Sequence, residues 1–527
     1  MLATLITAVI DGLDGALIRV EVDVAPGLPS CHIVGLPDAA LSEARERVRA
    51  AVRNAGYDYP ASRITVNLAP ADRRKRGAAY DLAIAVGILV ASGQLRAGGG
   101  PLALLGELSL DGSIRPVAGV LPMVATLVRR GHRRVGVPSP NVGEARLVAG
   151  VEAYGLDGLD DAVRLVAGPR GRRAQAATRR PPVLVSAPTA GGLGEVAPPV
   201  DPASAEAVDL ADIRGQAAAR WALEIALAGG HNLLMVGPPG AGKTLLARTI
   251  PGLLPPLGPS EALELAVIES VAGLLGPEPT LRRARPFRAP HHTSSYVAVV
   301  GGGPRLMPGL VSLAHRGVLF LDELAEFDRF VLDALRQPLE EGTIHLARAS
   351  GQVTYPARVQ LVAAMNPCRC GYDGDPEVAC RCGLNEPERY QRKVSGPLLD
   401  RLDLRVELRR VPPADLLSSG PAEASRVVAE RIAAARARAL ARNQGLVNAE
   451  LVGTSLVRAA RLGGAARERL SELATATGLS ARATHRLLRV ARTIADLAGL
   501  EAVEEPSILA AAALRSGDGG SLGRLAA

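Results

Sequence analysis

The run Gly237-Pro238-Pro239-Gly240-Ala241-Gly242-Lys243-Thr244 leaves this chain few folds, because such a loop works only between a buried strand and a helix. Both flanks carry those signatures: Asn232 to Val236 is a short apolar run, and Leu245 onward (LLARTI) has helical spacing. Gly237, Gly240 and Gly242 let the backbone curl so that successive N–H groups face a β-phosphate. Lys243 then reaches the β and γ oxygens, and the Thr244 hydroxyl is placed to ligate Mg²⁺. The expected ligand is ATP or another nucleoside triphosphate. Only three lysines (Lys75, Lys243, Lys393) occur among 61 basic residues, so a lysine needs a reason, and a compact ammonium fits inside the loop where a guanidinium fork would not. The competing reading, a glycine-rich turn beside a surface lysine, has to account for all eight positions and both flanks.

Hydrolysis needs more parts, and they follow in order. Val318 to Leu321 is an apolar strand ending in Asp322-Glu323, where the aspartate can hold the Mg²⁺ shell and the glutamate can polarise the attacking water. A second apolar run, 359 to 365, ends in Asn366, a neutral polar group suited to hold that water from the neighbouring strand. Strands that end in polar residues and alternate with helical patterns predict a parallel α/β sheet with its site at the carboxyl ends. Arg401 (in GPLLDRLDL) and Arg482 (in SARATHRLLRVARTIADL) are further candidates, and each reads equally well as a solvated arginine.

Six segments carry a resemblance: GPPGAGKT, PFRAPHHTSS (286 to 295), LVSLAHRGVLFLDELAEF (310 to 327), PARVQLVAAMNPCRCG (356 to 371), SGPLLDRLDL (395 to 404) and RLLRVARTIADL (486 to 497). Together they resemble the YifB/ComM family of magnesium-chelatase-like AAA+ ATPases over about 210 to 500. The resemblance implies an AAA+ P-loop ATPase core with a helical lid. It also makes Arg401 the finger that reaches the γ-phosphate in a neighbouring subunit and Arg482 the sensor arginine of the lid. A finger acting in trans implies a ring, a homo-hexamer.

Residues 1–168 form a separate α+β domain, with alternating apolar positions from Leu5 to Val24 that predict strands and a helical run from Asp38 to Ala55. Its segments 63 to 75, 74 to 93 and 104 to 131 resemble the proteolytic domain of Lon-type proteases. In that resemblance the nucleophilic serine falls on Ala79 and the activating lysine on Leu121, so a Ser-Lys mechanism has nothing to run on. The domain reads as a non-proteolytic platform. Its RRKR cluster (Arg73 to Arg76) could touch phosphates or be a solvated loop. Residues 169–208, rich in Pro, Gly, Ala and Arg without an apolar period, read as a linker. The ATPase core is expected over 209–410 and the helical lid over 411–527. Between Arg426 and Arg492 stand 13 arginines against 4 glutamates.

No apolar run approaches the ~18 residues of a membrane helix, and the start MLATLITAVIDG has neither basic flank nor cleavage site, so a cytoplasmic protein without a membrane partner is expected. Net charge +8 permits a polyanionic partner. All four Phe lie between 287 and 330, which argues against a base-stacking platform and predicts DNA contacts mainly to phosphates. Cys368-Arg-Cys370 and Cys380-Arg-Cys382 could close a tetrahedral thiolate site for Zn²⁺, or be four free thiols in an exposed loop; Cys31 reads as a core residue. His291 and His292, being adjacent, are expected to point apart and to serve a loop near the ring's centre.

Two motors fit these parts, and a third does not. By the resemblance, the first is a DNA motor driving branch migration in recombination or natural transformation. For it, 285 to 308 and a hairpin over 342 to 356 bearing His345, Arg348 and Gln352 would project into a pore, or else pack neighbouring subunits. The alternative is the ATPase subunit of a magnesium chelatase-type complex. An ATP-dependent protease would need the hydroxyl that Ala79 lacks.

Overall fold

Both flanks of the phosphate loop take their predicted forms in the computed structural model of the chain, as the strand Leu233–Val236 and the helix Lys243–Arg248. The structure describes residues 1–34, 39–70, 77–98, 100–171, 184–186, 208–348, 351–412 and 423–516. The basic cluster at 73–76 and most of the expected linker lie outside them. Two units emerge, one from residues 1–197 with 259–282, the other from 198–258 with 283–527.

In the first unit the described residues form an eight-stranded mixed sheet. Leu2–Asp11 and Asp14–Ala25 pair antiparallel at its centre, and inward residues Ile18, Val20 and Val22 are fully buried. Helix Asp81–Ala91 is apolar almost all round and buried nearly throughout, as such a helix must be. Its one acid, Asp81, pairs with Arg47 Nε at 2.9 Å, while burial raises its carboxyl to about 7. Ala79 and Leu121 are both buried, Ala79 within an apolar cluster.

Two boundaries differ from expectation. Leu184–Ser186, inside the expected linker, is an edge strand antiparallel to Glu152–Leu156, three residues too short for an apolar period to reveal. Helix Pro259–Val271, expected in the ATPase core, belongs with the first unit: Gly119 N donates to Ser270 O at 2.9 Å. There the buried Glu144 accepts from Leu121 N, Asn141 Nδ2 and the Ser270 hydroxyl.

The second unit holds an all-parallel sheet of five short strands. Its spatial order is Phe287–Arg288, Val318–Leu321, Gln360–Met365, Leu233–Val236, Leu404–Glu407. Every residue of the middle three is buried, as continuous apolar runs covered on both faces should be. Chain order and spatial order differ so that the loop after Leu233–Val236 and the ends of Val318–Leu321 and Gln360–Met365 meet at one edge.

C-terminal to the sheet follow five described helices of four residues or more: Ser425–Arg442, Gly453–Ala460, Gly464–Ala476, Ala481–Leu497 and Glu505–Ser516. They share one apolar core with the sheet. A buried polar network crosses the same boundary. Asp496 accepts from both Arg442 terminal nitrogens (2.6 and 2.8 Å), from Arg492 (2.9 Å) and from Asn448 (2.8 Å). Thr493 links Asn448 to His231, the residue just before the phosphate-loop strand's Asn232. Part of the arginine surplus of this region therefore makes internal contacts. Arg431 clamps Glu224 and Glu423, Arg436 donates to Leu227 O, Arg489 to Leu451 O, and Arg486 and Arg492 are buried.

Candidate nucleotide site

Gly240 and Gly242 hold φ of +79° and +88°, values that L side chains resist, so the loop's curl depends on these two positions. Gly237 N donates to Met365 O, and Gln216 Nε2 bridges Ala241 O (3.0 Å) to Arg409 O (2.5 Å), pinning the loop to both neighbouring strand ends. Lys243 is buried, and its three donors have three acceptors: Gly237 O (2.6 Å), Pro238 O (2.9 Å) and Asn366 Oδ1 (3.1 Å). Burial lowers its pKa to about 8, against the pull of the Asp322 and Glu323 carboxylates.

Thr244 Oγ1 donates to Asp322 Oδ2 at 2.6 Å, so the two oxygen donors expected to share Mg²⁺ already converge. They are hard ligands on rigid strand and helix ends, and they fit that ion. Glu323 sits at φ +53°, ψ 48°, a left-handed conformation that costs a non-glycine residue about 1–2 kcal/mol. The strain aims its carboxylate beyond the strand end, where His292 Nδ1 lies 3.2 Å from Oε2.

The sequence-predicted residues thus fall into two groups. Gly237 to Thr244, Asp322, Glu323 and Asn366 come together at one sheet edge. Arg401 and Arg482 meet elsewhere, on Glu340: each guanidinium donates to one carboxylate oxygen, and Arg401 also donates to Pro397 O at 2.6 Å. Glu340 gave no sequence signal, being one of two adjacent glutamates on the short helix Arg336–Glu341. Nor did Gln216. His291 and His292 do not point apart, since their rings stack with centroids 4.2 Å apart, tilted 33°. The stacking leaves His292 facing Glu323 and the edge of Phe327. Cys31, on the edge strand Ser30–Val34, is half-buried and packs against the core rather than lying fully within it, and burial raises its thiol pKa. The sulfurs of Cys368, Cys370, Cys380 and Cys382 lie within 4.8 Å of one another.

The predicted hairpin is present, Thr343–Arg348 antiparallel to Gly351–Pro356, with residues 349 and 350 of its turn outside the described set. Ile344, Leu346 and Tyr355 are buried on one face, and Tyr355 donates to Leu306 O at 2.8 Å. His345, Arg348 and Gln352 are exposed. No described helix is long and apolar enough to cross a membrane.

A five-stranded parallel sheet with a phosphate loop, a strand ending in Asp322-Glu323 and a neighbour ending in Asn366 defines an AAA+ ATPase, a class that uses ATP and Mg²⁺. The family described as "Magnesium chelatase, subunit ChlI" matches residues 209–416, "Subunit ChlI of Mg-chelatase" residues 20–141, and "Magnesium chelatase, subunit ChlI C-terminal" residues 422–515. Within this class the chain belongs to the YifB/ComM family. It is 42% identical over 510 residues to the competence protein ComM of Haemophilus influenzae, covering 96% of each chain. It is 44% identical over 491 residues to the YifB protein of Escherichia coli (92% of this chain, 91% of that one) and 46% identical over 495 residues to an uncharacterised protein of Mycobacterium tuberculosis (93% of each).

Proposed function

We propose that the protein is a ring-forming ATP-hydrolysing motor that acts on DNA, a branch-migration helicase serving recombination or natural transformation. The observation that carries this reading is the likeness, along nearly the whole of both chains, to a relative named a competence protein. The exposed polar face of the hairpin Thr343–Pro356 supports it, since its apolar face is anchored and its tip carries Arg348.

In this reading the loop amides and Lys243 bind the triphosphate, and Thr244 and Asp322 hold Mg²⁺. When bound, the ion would neutralise negative charge on the β- and γ-phosphates. Glu323 leaves His292 to orient the attacking water, with Asn366 holding that water from the adjacent strand. Arg401 acts on the γ-phosphate of the next subunit of a hexamer, Arg482 reports on the same phosphate, and the C-terminal helices serve as the lid. The first unit is a Lon-like platform without proteolytic activity, consistent with the burial of Ala79 and Leu121.

The test is the ATPase rate measured with no DNA, single strands, duplex and four-way junctions. Stimulation that is greatest with junctions is expected. A second reading, the ATPase subunit of a chelatase-type complex, is favoured by the descriptions of all three family matches, including the one over the first unit. It predicts a rate indifferent to every DNA in the series.

A further inference from the structure

Between the strand Gln360–Met365 and the helix Glu386–Gln391, residues 366–385 run without helix or strand. A structureless stretch of that length needs something to hold it. Apolar packing does not, for Leu384 is fully exposed and Val378 only half-buried. What converges inside the loop is sulfur. Cys368 Sγ lies 3.4 Å from Cys370 Sγ and 3.7 Å from Cys380 Sγ, Cys370 and Cys380 are 3.5 Å apart, and Cys382 completes the group.

These separations are far beyond a disulfide bond of about 2.05 Å. They approach the ~3.8 Å edge of the sulfur tetrahedron that a Zn–S distance of about 2.3 Å dictates. Arg381 N–H donates to Cys370 Sγ at 3.4 Å, the kind of outer contact that fixes a ligating thiolate. Cys368 is buried at the base and the other three are half-buried, so the cluster is anchored yet reachable by an ion. Arg369 and Arg381, inside the two cysteine pairs, bring positive charge to a ligand set that would be anionic.

The same loop bears on the phosphate loop. Its first residue, Asn366, accepts from Lys243, and Gly371, at φ +89°, lies so close that a Cβ there would come within 2.5 Å of Pro239 Cδ. Farther along, the Arg410 guanidinium sits 5.1 Å over the Tyr372 ring and 3.4 Å from Asp375 Oδ2.

We propose that Cys368, Cys370, Cys380 and Cys382 are the four thiolate ligands of one Zn²⁺, and that this ion holds the 366–385 loop in the shape that sets Gly371 against Pro239 and Asn366 against Lys243. Four soft ligands closing a tetrahedron leave no open position, so the ion is structural. Each thiol gives up its proton to ligate, so uptake of the metal releases protons. The bracing of the phosphate loop rests on the nucleotide-binding reading; the metal site does not.

Metal content decides the first half. Reduced protein purified without chelator should carry one zinc per chain, Cys31→Ser should keep it, and Cys380→Ser and Cys382→Ser should lose it while retaining wild-type circular dichroism. Should the serine variants fail to fold, Co²⁺ exchanged into the wild-type chain should give thiolate-to-metal charge-transfer absorption. Wild-type protein that holds no zinc and takes up neither Zn²⁺ nor Co²⁺, or a Cys382→Ser variant with full zinc, overturns the site. Nucleotide affinity decides the second half: removal of zinc should weaken ATP binding about tenfold, as lost support around a site typically does. A folded, zinc-free chain with unchanged affinity overturns the bracing. Zinc-loaded wild-type protein that binds no ATP overturns the bracing and the phosphate-loop reading together and leaves the metal assignment standing.

Discussion

Lys243 is the residue on which the nucleotide site turns, because it is buried with its three donors occupied by two loop carbonyls and Asn366. Burial holds its pKa near 8, below the ordinary 10.5. The sign follows from linkage: folding lowers this lysine's proton affinity, so it disfavours the fold below about pH 8, and that cost fades as pH rises toward 10.5. Triphosphate oxygens reverse the shift. ATP binding at about pH 8.5 should therefore draw a proton onto Lys243, whereas at about pH 6.5 the lysine is already charged. Calorimetry in two buffers of different ionisation heat reads the difference directly; equal proton uptake at both pH values would refute a depressed lysine. The two charged partners of the chemistry should also separate by mutation. Lys243→Ala is expected to abolish ATP binding, while Glu323→Gln binds ATP and hydrolyses it very slowly. A Glu323→Gln enzyme that turned over at the wild-type rate would remove the water-orienting role from this carboxylate.

At the scale of elements, legibility in the sequence followed the strength of the local pattern. Leu233–Val236, Val318–Leu321 and Gln360–Met365 were readable because parallel strands covered on both faces are mainly apolar runs, and Gly237, Asp322 and Asn366, which follow them, mark the site. The strand Leu184–Ser186 was not readable, since three residues carry no period, and neither was the membership of Pro259–Val271, which long-range contacts decide. Charge counting left the partners of these arginines unread. Between 426 and 492 the sequence offers only a surplus of arginine, whereas in the structure Arg442 and Arg492 converge on Asp496 inside the helical region, and Arg482 shares Glu340 with Arg401. Composition reports charge but not its partner. Asp496 and Arg492 are buried, so Asp496→Ala should leave two guanidinium groups without their carboxylate and cost about 3–5 kcal/mol. Thermal unfolding should show the helical region melting early with the first unit's transition unmoved. A variant as stable as the parent would mean that the network contributes geometry rather than stability.

At the scale of the whole molecule, the proposed function turns on two tests: whether the site is shared between subunits, and whether the motor binds DNA. Sharing the site between subunits can be tested first. Arg401→Ala should lower turnover by on the order of 10³-fold with little change in ATP affinity, as expected of a group that meets charge only in the transition state. Mixed with Lys243→Ala chains it should regain activity, because each variant then supplies what its neighbour lacks; no recovery under proven co-assembly would end the case for a shared site. The proposed DNA contact is tested at the hairpin. Ile344, Leu346 and Tyr355 are buried and anchor the hairpin, while Arg348 and Gln352 are exposed, as is His345, which bonds Thr354 across the hairpin. If Arg348 meets phosphates, Arg348→Ala should weaken binding to all DNA sequences alike and flatten its salt dependence, since fewer counterions are released per ring. DNA-stimulated hydrolysis should fall while basal turnover and assembly persist. A hairpin that instead packs neighbouring subunits predicts the reverse, with assembly and basal turnover failing together. Because the two outcomes move different observables, sedimentation and ATPase rate on the one variant distinguish a DNA-gripping pore from a subunit joint.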